Sequence, residues 1–205
     1  MRELLILGTD VHAGEMAEIV ERMNARQPMW RLLGFLTQDR ARVGEVWNGY
    51  PILGTAADLE QYPEACLVPA FGWPETGGVA PERWVSLVDP SAFVSRTAIL
   101  GAGCVIYPNC FVGLNARLGD RVFCLSGSVI NHDDVLEDGV TVASGVLLAG
   151  QVHVEAGCYL GQGCTVRQFL RLGRGSMVGM GAVVIRDVPP GSIVVGNPAR
   201  FLRPR

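Results

Sequence analysis

The sequence predicts a parallel β-helix of six-residue repeats preceded by a small α/β lobe. Three observations predict the β-helix. From Val94 to Val184 every sixth residue is apolar, fifteen of the sixteen being Val, Leu or Ile and the other Cys124. Three residues after each of these, twelve of sixteen positions are Gly, Asn or Asp, types that tolerate the positive φ of a sharp corner. Four residues after, the side chain is mostly small, as at Ala98, Cys104, Cys110, Ala116, Cys158, Cys164, Ser176 and Ala182. A period of six is neither the helical nor the simple strand period. It marks a chain that turns after every short strand. With three hexads to a coil, residues 18 apart stack. About five coils at ~4.8 Å spacing give a prism roughly 25 Å tall. Each coil buries its aliphatics against the next. The run breaks at Pro190.

The elements before the repeat alternate between β and α, which implies a small parallel sheet. Residues 3–8 read as a buried strand, followed by a turn over Gly8–His12. Glu15 to Met23 reads as a helix with Met16, Ile19, Val20 and Met23 on one face. Arg31 to Leu36 is a second strand, residues 52–60 a turn and short helix, and Ala65 to Phe71 a third strand. Residues 72–83 read as a loop, and Trp84 to Val88 as a last strand leading through Asp89-Pro90 into the repeat. The domain boundary therefore falls between 1–90 and 91–205. A strand–turn–helix at a chain's start often places a phosphate or ribose at the helix N-terminus. The full G-x-G-x-x-G is lacking, so Gly8 serves equally as a tight turn.

Charge divides unevenly. Residues 1–90 carry 7 Arg against 13 acids, about −6, and residues 91–205 carry 10 Arg against 7 acids, about +3. The second half favours an anionic ligand but is not basic enough for nucleic acid. All 17 basic residues are Arg, which excludes a P-loop lysine and a Schiff base. No apolar run reaches the ~18 residues of a membrane span. The first residues lack the length and cleavage site of a signal peptide, so a soluble cytoplasmic protein is expected. Five of the six cysteines fall in the buried columns of the repeat, and Cys66 lies in an apolar run. All six read as small core residues.

Of three histidines, His132 lies in the corner Asn131-His132-Asp133-Asp134, two residues after Ile130 and so directed outward. Leu114 and Gly150 stack below and above it, and Gly150 leaves room for a ligand. A neutral imidazole accepts a proton from an amine or hydroxyl, and Asp133 beside it would orient the ring and stabilise the imidazolium. A solvated histidine next to a turn-forming Asp fits the same spacing. His153, on another column, reads as a surface or subunit-contact residue, and His12 as a ligand contact or the end of a turn. A three-histidine zinc site between subunits is not supplied by two repeat histidines 21 apart on different columns. No metal is expected.

The chain resembles the sugar O- and N-acetyltransferases of the NeuD type, including the N-acetyltransferases of bacterial UDP- and GDP-4-amino-sugars. The likeness covers nearly the whole chain. It rests on Gly8–His12, Gly34-Phe35-Leu36, Pro51-Ile52-Leu53-Gly54, Asp89-Pro90-Ser91-Ala92, Ile130-Asn131-His132-Asp133, Leu148-Ala149-Gly150 and Val195-Gly196-Asn197-Pro198-Ala199. The resemblance implies a Rossmann-like lobe, a left-handed β-helix and a homotrimer with each active site between two subunits. It implies His132 as general base, Asp133 as its carboxylate, and acetyl-CoA near Thr141, Gly150, Gln162 and Met180. Nucleotide-sugar contacts would fall on Gly8, Asp10, Val11, His12, Thr37, Gln38 and Gly72. Some features depart from the family. Thr37-Gln38-Asp39 replaces its acidic residues, which shifts a ribose-binding carboxylate to Asp39 or changes base preference. Thr141 replaces its second histidine, Asp89 replaces the His of its His-Pro junction, and the segment after Gly72 is short. The function expected is acetyl-CoA-dependent N-acetylation of a UDP- or GDP-linked amino sugar. The alternatives are O-acetylation of a sugar or sialic acid, and a trimeric ligand-binding scaffold without activity.

Overall fold

A computed structural model describes residues 1–73 and 78–205. The chain divides into two compact units, Met1–Pro90 and Ser91–Arg205. Among the described residues no helix is long and apolar enough to cross a membrane.

The first unit is a mostly parallel sheet. Strands β1 (Arg2–Leu7), β2 (Trp30–Leu36), β3 (Val46–Trp47), β4 (Tyr50–Gly54) and β5 (Cys66–Pro69) lie in the order β3-β4-β2-β1-β5. β1 runs parallel to β2 and β5, and β4 parallel to β2. One helix, α1 (Val11–Arg26), joins β1 to β2 and buries Met16, Ile19 and Val20. The core gathers Leu5, Leu7, Leu36, Leu59, Leu67 and Trp73.

Four sequence readings change here. α1 begins at Val11, so Val11 and His12 belong to its first turn rather than to a turn before it. The Asp10 carboxylate accepts the Ala13 N–H at 2.8 Å and starts the helix early. Apolar periodicity misses this start because Val11 is exposed and Gly14 has no side chain. Residues 46–54 form a hairpin around Asn48-Gly49, both at positive φ, as Asn-Gly turns do. The short helix is then a 3-10 segment over Ala56–Gln61, closed by a Thr55–Asp58 capping box. The last strand shortens to Leu87–Val88, with Trp84 making only an isolated bridge to Leu67. The loop expected over 72–83 takes in residues 74–77, which lie outside the described residues. Its Pro81–Arg83 end is a 3-10 turn.

The second unit is a parallel β-solenoid with three walls of two-residue strands. Wall one stacks Phe93–Val94, Phe111–Val112, Val129–Ile130, Leu147–Leu148, Thr165–Val166 and Val183–Val184. Wall two stacks Ile99–Leu100, Arg117–Leu118, Val135–Leu136, His153–Val154 and Arg171–Leu172. Wall three stacks Val105–Ile106, Phe123–Cys124, Thr141–Val142, Tyr159–Leu160 and Met177–Val178. It closes on Ser192–Val195, which pairs antiparallel with Arg200–Pro204. The aliphatic column from Ile106 to Val184 is buried, and all six cysteines are buried free thiols. Burial pushes the Cys164 thiol up to about 12, so it behaves as an apolar filler. Every third-position residue from Gly103 to Gly181 has positive φ, including Arg121, Gln151 and Phe169. The corner geometry thus holds even where the residue type opposes it.

Candidate functional site

His132 follows the wall-one strand Val129–Ile130 and turns the chain toward wall two. The turn places its side chain outward, 54% exposed. Nδ1 lies 2.9 Å from Asp133 Oδ2. Asp133 sits at φ 59°, anchored by its own N–H to the Leu114 carbonyl at 2.8 Å. Its other oxygen accepts the Asn115 amide at 3.1 Å. The imidazole and then the Asn115 amide hold the Asp133 carboxyl below the usual range. An ionised Asp133 fixes the ring with Nδ1 as donor and leaves Nε2 as the basic nitrogen. The room expected above Gly150 is taken by the ring itself. A Cβ at Gly150 would fall inside the imidazole's van der Waals surface, nearest Nε2.

His153 forms the opposite arrangement on wall two. Its Nε2 lies 2.9 Å from Glu137 Oε1, and Glu137 Oε2 accepts the Ala156 N–H at 3.0 Å and Arg174 at 3.3 Å. The Ala156 N–H, then His153, hold the Glu137 carboxyl low. There the carboxylate lies at Nε2, whereas in His132 it lies at Nδ1.

The residues implied for acetyl-CoA divide between places on the prism. Gly150 shares the edge of His132. Gln162 and Met180 stack at the corner that follows wall three, with the Gly181 N–H donating to the Gln162 carbonyl at 2.9 Å. Met180 is 75% exposed there. Thr141 lies nearly buried within wall three, between Phe123 and Tyr159. One chain therefore does not bring His132 together with Gln162 and Met180.

In the first unit, Gly8, Thr9, Asp10, Thr37, Gln38, Asp39, Arg42, Phe71 and Trp73 line a cleft of about 360 Å³ at the ends of β1, β2 and β5. Gly8, at φ +141°, lets these ends converge, since a Cβ would sit 2.6 Å from Ala70 Cβ. Thr37 is buried, and its hydroxyl lies 3.2 Å from that of Thr9. Asp10 and Asp39 spend a carboxylate oxygen each on the N–H groups of Ala13 and Ala41. His12 lies just outside the lining, edge-on to Phe71 and 3.2 Å from Glu15 Oε2. Val11 is exposed, and Gly72 lies at the cleft's rim in sequence without lining it. Sequence reasoning missed Arg42, which donates to the Thr9 carbonyl and hydroxyl at 3.1 and 3.0 Å and stacks over Trp47. Its one signal was a basic pair, Arg40 and Arg42, in an otherwise acidic lobe. Asp89, which departs from the family pattern, is fully buried and held by Arg22 Nε at 2.6 Å and Nη2 at 3.0 Å. Among the described residues no three His, Cys, Asp or Glu gather as a metal site.

A six-residue-repeat solenoid is the fold that the chain shares with solved hexapeptide-repeat acyltransferases, a likeness of class. Known structures narrow the likeness. The chain is 28% identical to the acetyltransferase domain of PglB from Neisseria gonorrhoeae, solved with acetyl coenzyme A, over 98% of this chain and 99% of that one, with a TM-score of 0.87. It shares 24% identity and a TM-score of 0.85 with PerB from Caulobacter crescentus, solved with CoA and GDP-perosamine, over 99% and 98% of the two chains. Among curated proteins it is 39% identical over 88 residues to the acyl-carrier-protein–UDP-N-acetylglucosamine O-acyltransferase of Synechocystis. That match covers 43% of this chain, and the chain spans about a third of the length of the curated relatives it matches. No protein-family model matches. The resemblance read from the sequence thus holds over nearly the whole chain.

Proposed function

We propose that the chain is an acetyl-CoA-dependent N-acetyltransferase of a UDP- or GDP-linked amino sugar, with His132 as general base. The observation that carries this is the exposed His132 with Nδ1 tied to Asp133, which reserves Nε2 for the acceptor. The sugar amine attacks the thioester carbonyl carbon while Nε2 takes a proton from nitrogen. The C–S bond then breaks, and the proton passes from the imidazolium to the departing thiolate. Asp133 stabilises the imidazolium in between. In this reading the β-helix is left-handed and the protein a cytoplasmic homotrimer. Acetyl-CoA lies along the prism past Thr141, Gly150, Gln162 and Met180. The separation of His132 from Gln162 and Met180 within one chain supports a site completed by a second subunit. The Rossmann-like lobe takes the nucleotide at the cleft of Gly8, Asp10, Thr37 and Gln38, with Val11, His12 and Gly72 at its margin. The CoA and GDP-perosamine bound in PerB support this donor and acceptor class.

A thiol-release assay over UDP- and GDP-amino sugars tests it. Wild type should release CoA with amine acceptors, and His132→Ala should lose about 100-fold or more in kcat. Turnover with hydroxyl acceptors alone would convert the reading to O-acetylation. Full turnover in the variant would remove His132 as base.

A further inference from the structure

Asp134 is the one acid in the small buried column, and its side chain is fully buried. Elsewhere along the same prism edge the backbone follows a rule. The residue after the wall-one aliphatic donates its N–H to the stacked aliphatic carbonyl of the next coil. Ser95 does so to Val112, Gly113 to Ile130, Ala149 to Val166 and Arg167 to Val184, at 2.9–3.0 Å. Asn131 breaks the rule: its N–H goes to Asp134 Oδ2 at 2.7 Å. A second N–H is diverted one coil up. At Ala98 and Ala116 the column N–H turns back to the carbonyl three residues earlier, at 3.0 and 3.3 Å. The stacked Val152 N–H goes instead to Asp134 Oδ1 at 2.8 Å. The ladder records the consequence. Val129–Ile130 pairs with the next coil through Val129 and Leu147 alone, where the other wall-one neighbours pair at both positions.

We infer that Asp134 is a positioning residue: its carboxylate sits as a wedge between the coil of His132 and the coil of Gly150 and sets the seat of the catalytic imidazole. The inference rests on the reading of His132 as base. The wedge replaces one ladder bond and one turn bond at the corner where the imidazole must lie over Gly150. His132 adds a tie to the same coil, its carbonyl accepting the Gln151 N–H at 3.0 Å. A carboxylate suits the wedge because each oxygen accepts a separate backbone N–H. An amide has one acceptor oxygen, and a small apolar side chain has none. Burial pushes the Asp134 carboxyl up to about 6, and the Val152 and Asn131 N–H groups hold it down against that rise. The column's usual small residue would avoid burying a charge altogether, so stability alone does not account for an acid here.

The test compares Asp134→Ala and Asp134→Asn with Ser176→Ala, a change in the same column at another edge. The expected result is a fall in kcat of about 10-fold or more for Asp134→Ala, with a smaller fall for Asp134→Asn. KM for acetyl-CoA should stay within about twofold, Tm should hold, and Ser176→Ala should match wild type. The ¹⁵N resonances of the His132 ring should move in both Asp134 variants, since the ring loses its seat. The inference is overturned if folded Asp134→Ala keeps full kcat, or if kcat and Tm fall in step in all three variants. Failure of the function is read separately. If wild type acetylates no amino sugar, the His132 ring resonances still decide: movement in the Asp134 variants supports the wedge, and unchanged resonances overturn it.

Discussion

At the residue scale the proposed site depends on one glycine as much as on His132 and Asp133. Gly150 has ordinary backbone geometry, so an alanine there meets no backbone strain. The added methyl would strike the His132 ring, an exposed and movable group. Gly150→Ala should therefore fold with Tm near wild type while kcat falls about 10-fold or more, because the ring must leave its seat. Thermal melts beside thiol-release kinetics check the pair. Equal turnover would show that the ring does not work from this position. The sequence gives the outward His132 and the adjacent Asp133, since both follow from counting hexads. It does not reveal that the ring occupies the gap above Gly150, because side-chain rotation is not periodic. Nor does it reveal Asp134, whose partners are backbone N–H groups of two coils.

At the element scale the corners show geometry overruling residue type. Phe169 adopts φ 65° with 65% of its surface exposed. The left-handed conformation costs a side chain with Cβ roughly 1–2 kcal/mol, and glycine little. Part of the gain on substitution is lost to the greater freedom of an unfolded glycine, about 0.4–1 kcal/mol. Phe169→Gly should raise stability by about 0.5–1 kcal/mol in denaturant melts. A destabilised variant would mean that the ring contributes packing exceeding its strain. This column was legible because a six-residue period repeats sixteen times. The first unit has no such redundancy. Its α1 begins on an exposed valine, and its hairpin is a two-residue strand against one containing Pro51. Each depends on a single local signal, the Asp10 cap or the Asn48-Gly49 turn, which counts for little unless weighed by itself.

At the scale of the whole molecule the outer faces of the prism differ. Wall two presents Arg117, His153 and Arg171, with ion pairs to Glu137 and Glu155. Wall one presents Phe93, Phe111 and Leu147, which are 56%, 39% and 45% exposed, the two rings stacked at 5.0 Å. An apolar stripe of this kind on a solenoid wall calls for a covering surface. In the proposed trimer a second copy of the chain would bring together what one chain keeps apart, a Gln162–Met180 corner beside a His132 edge. Phe111→Arg puts a charge in the middle of the stripe while leaving the corner hydrogen bonds of His132 untouched. It should shift the protein from the proposed trimer toward monomer in sedimentation, and kcat should fall with the trimer fraction, since a desolvated unpaired guanidinium opposes association. Raising protein concentration should then restore turnover per chain, which a damaged active site would not do. A monomer with full turnover would place the whole reaction on a single chain and require another route for the thioester to reach Nε2.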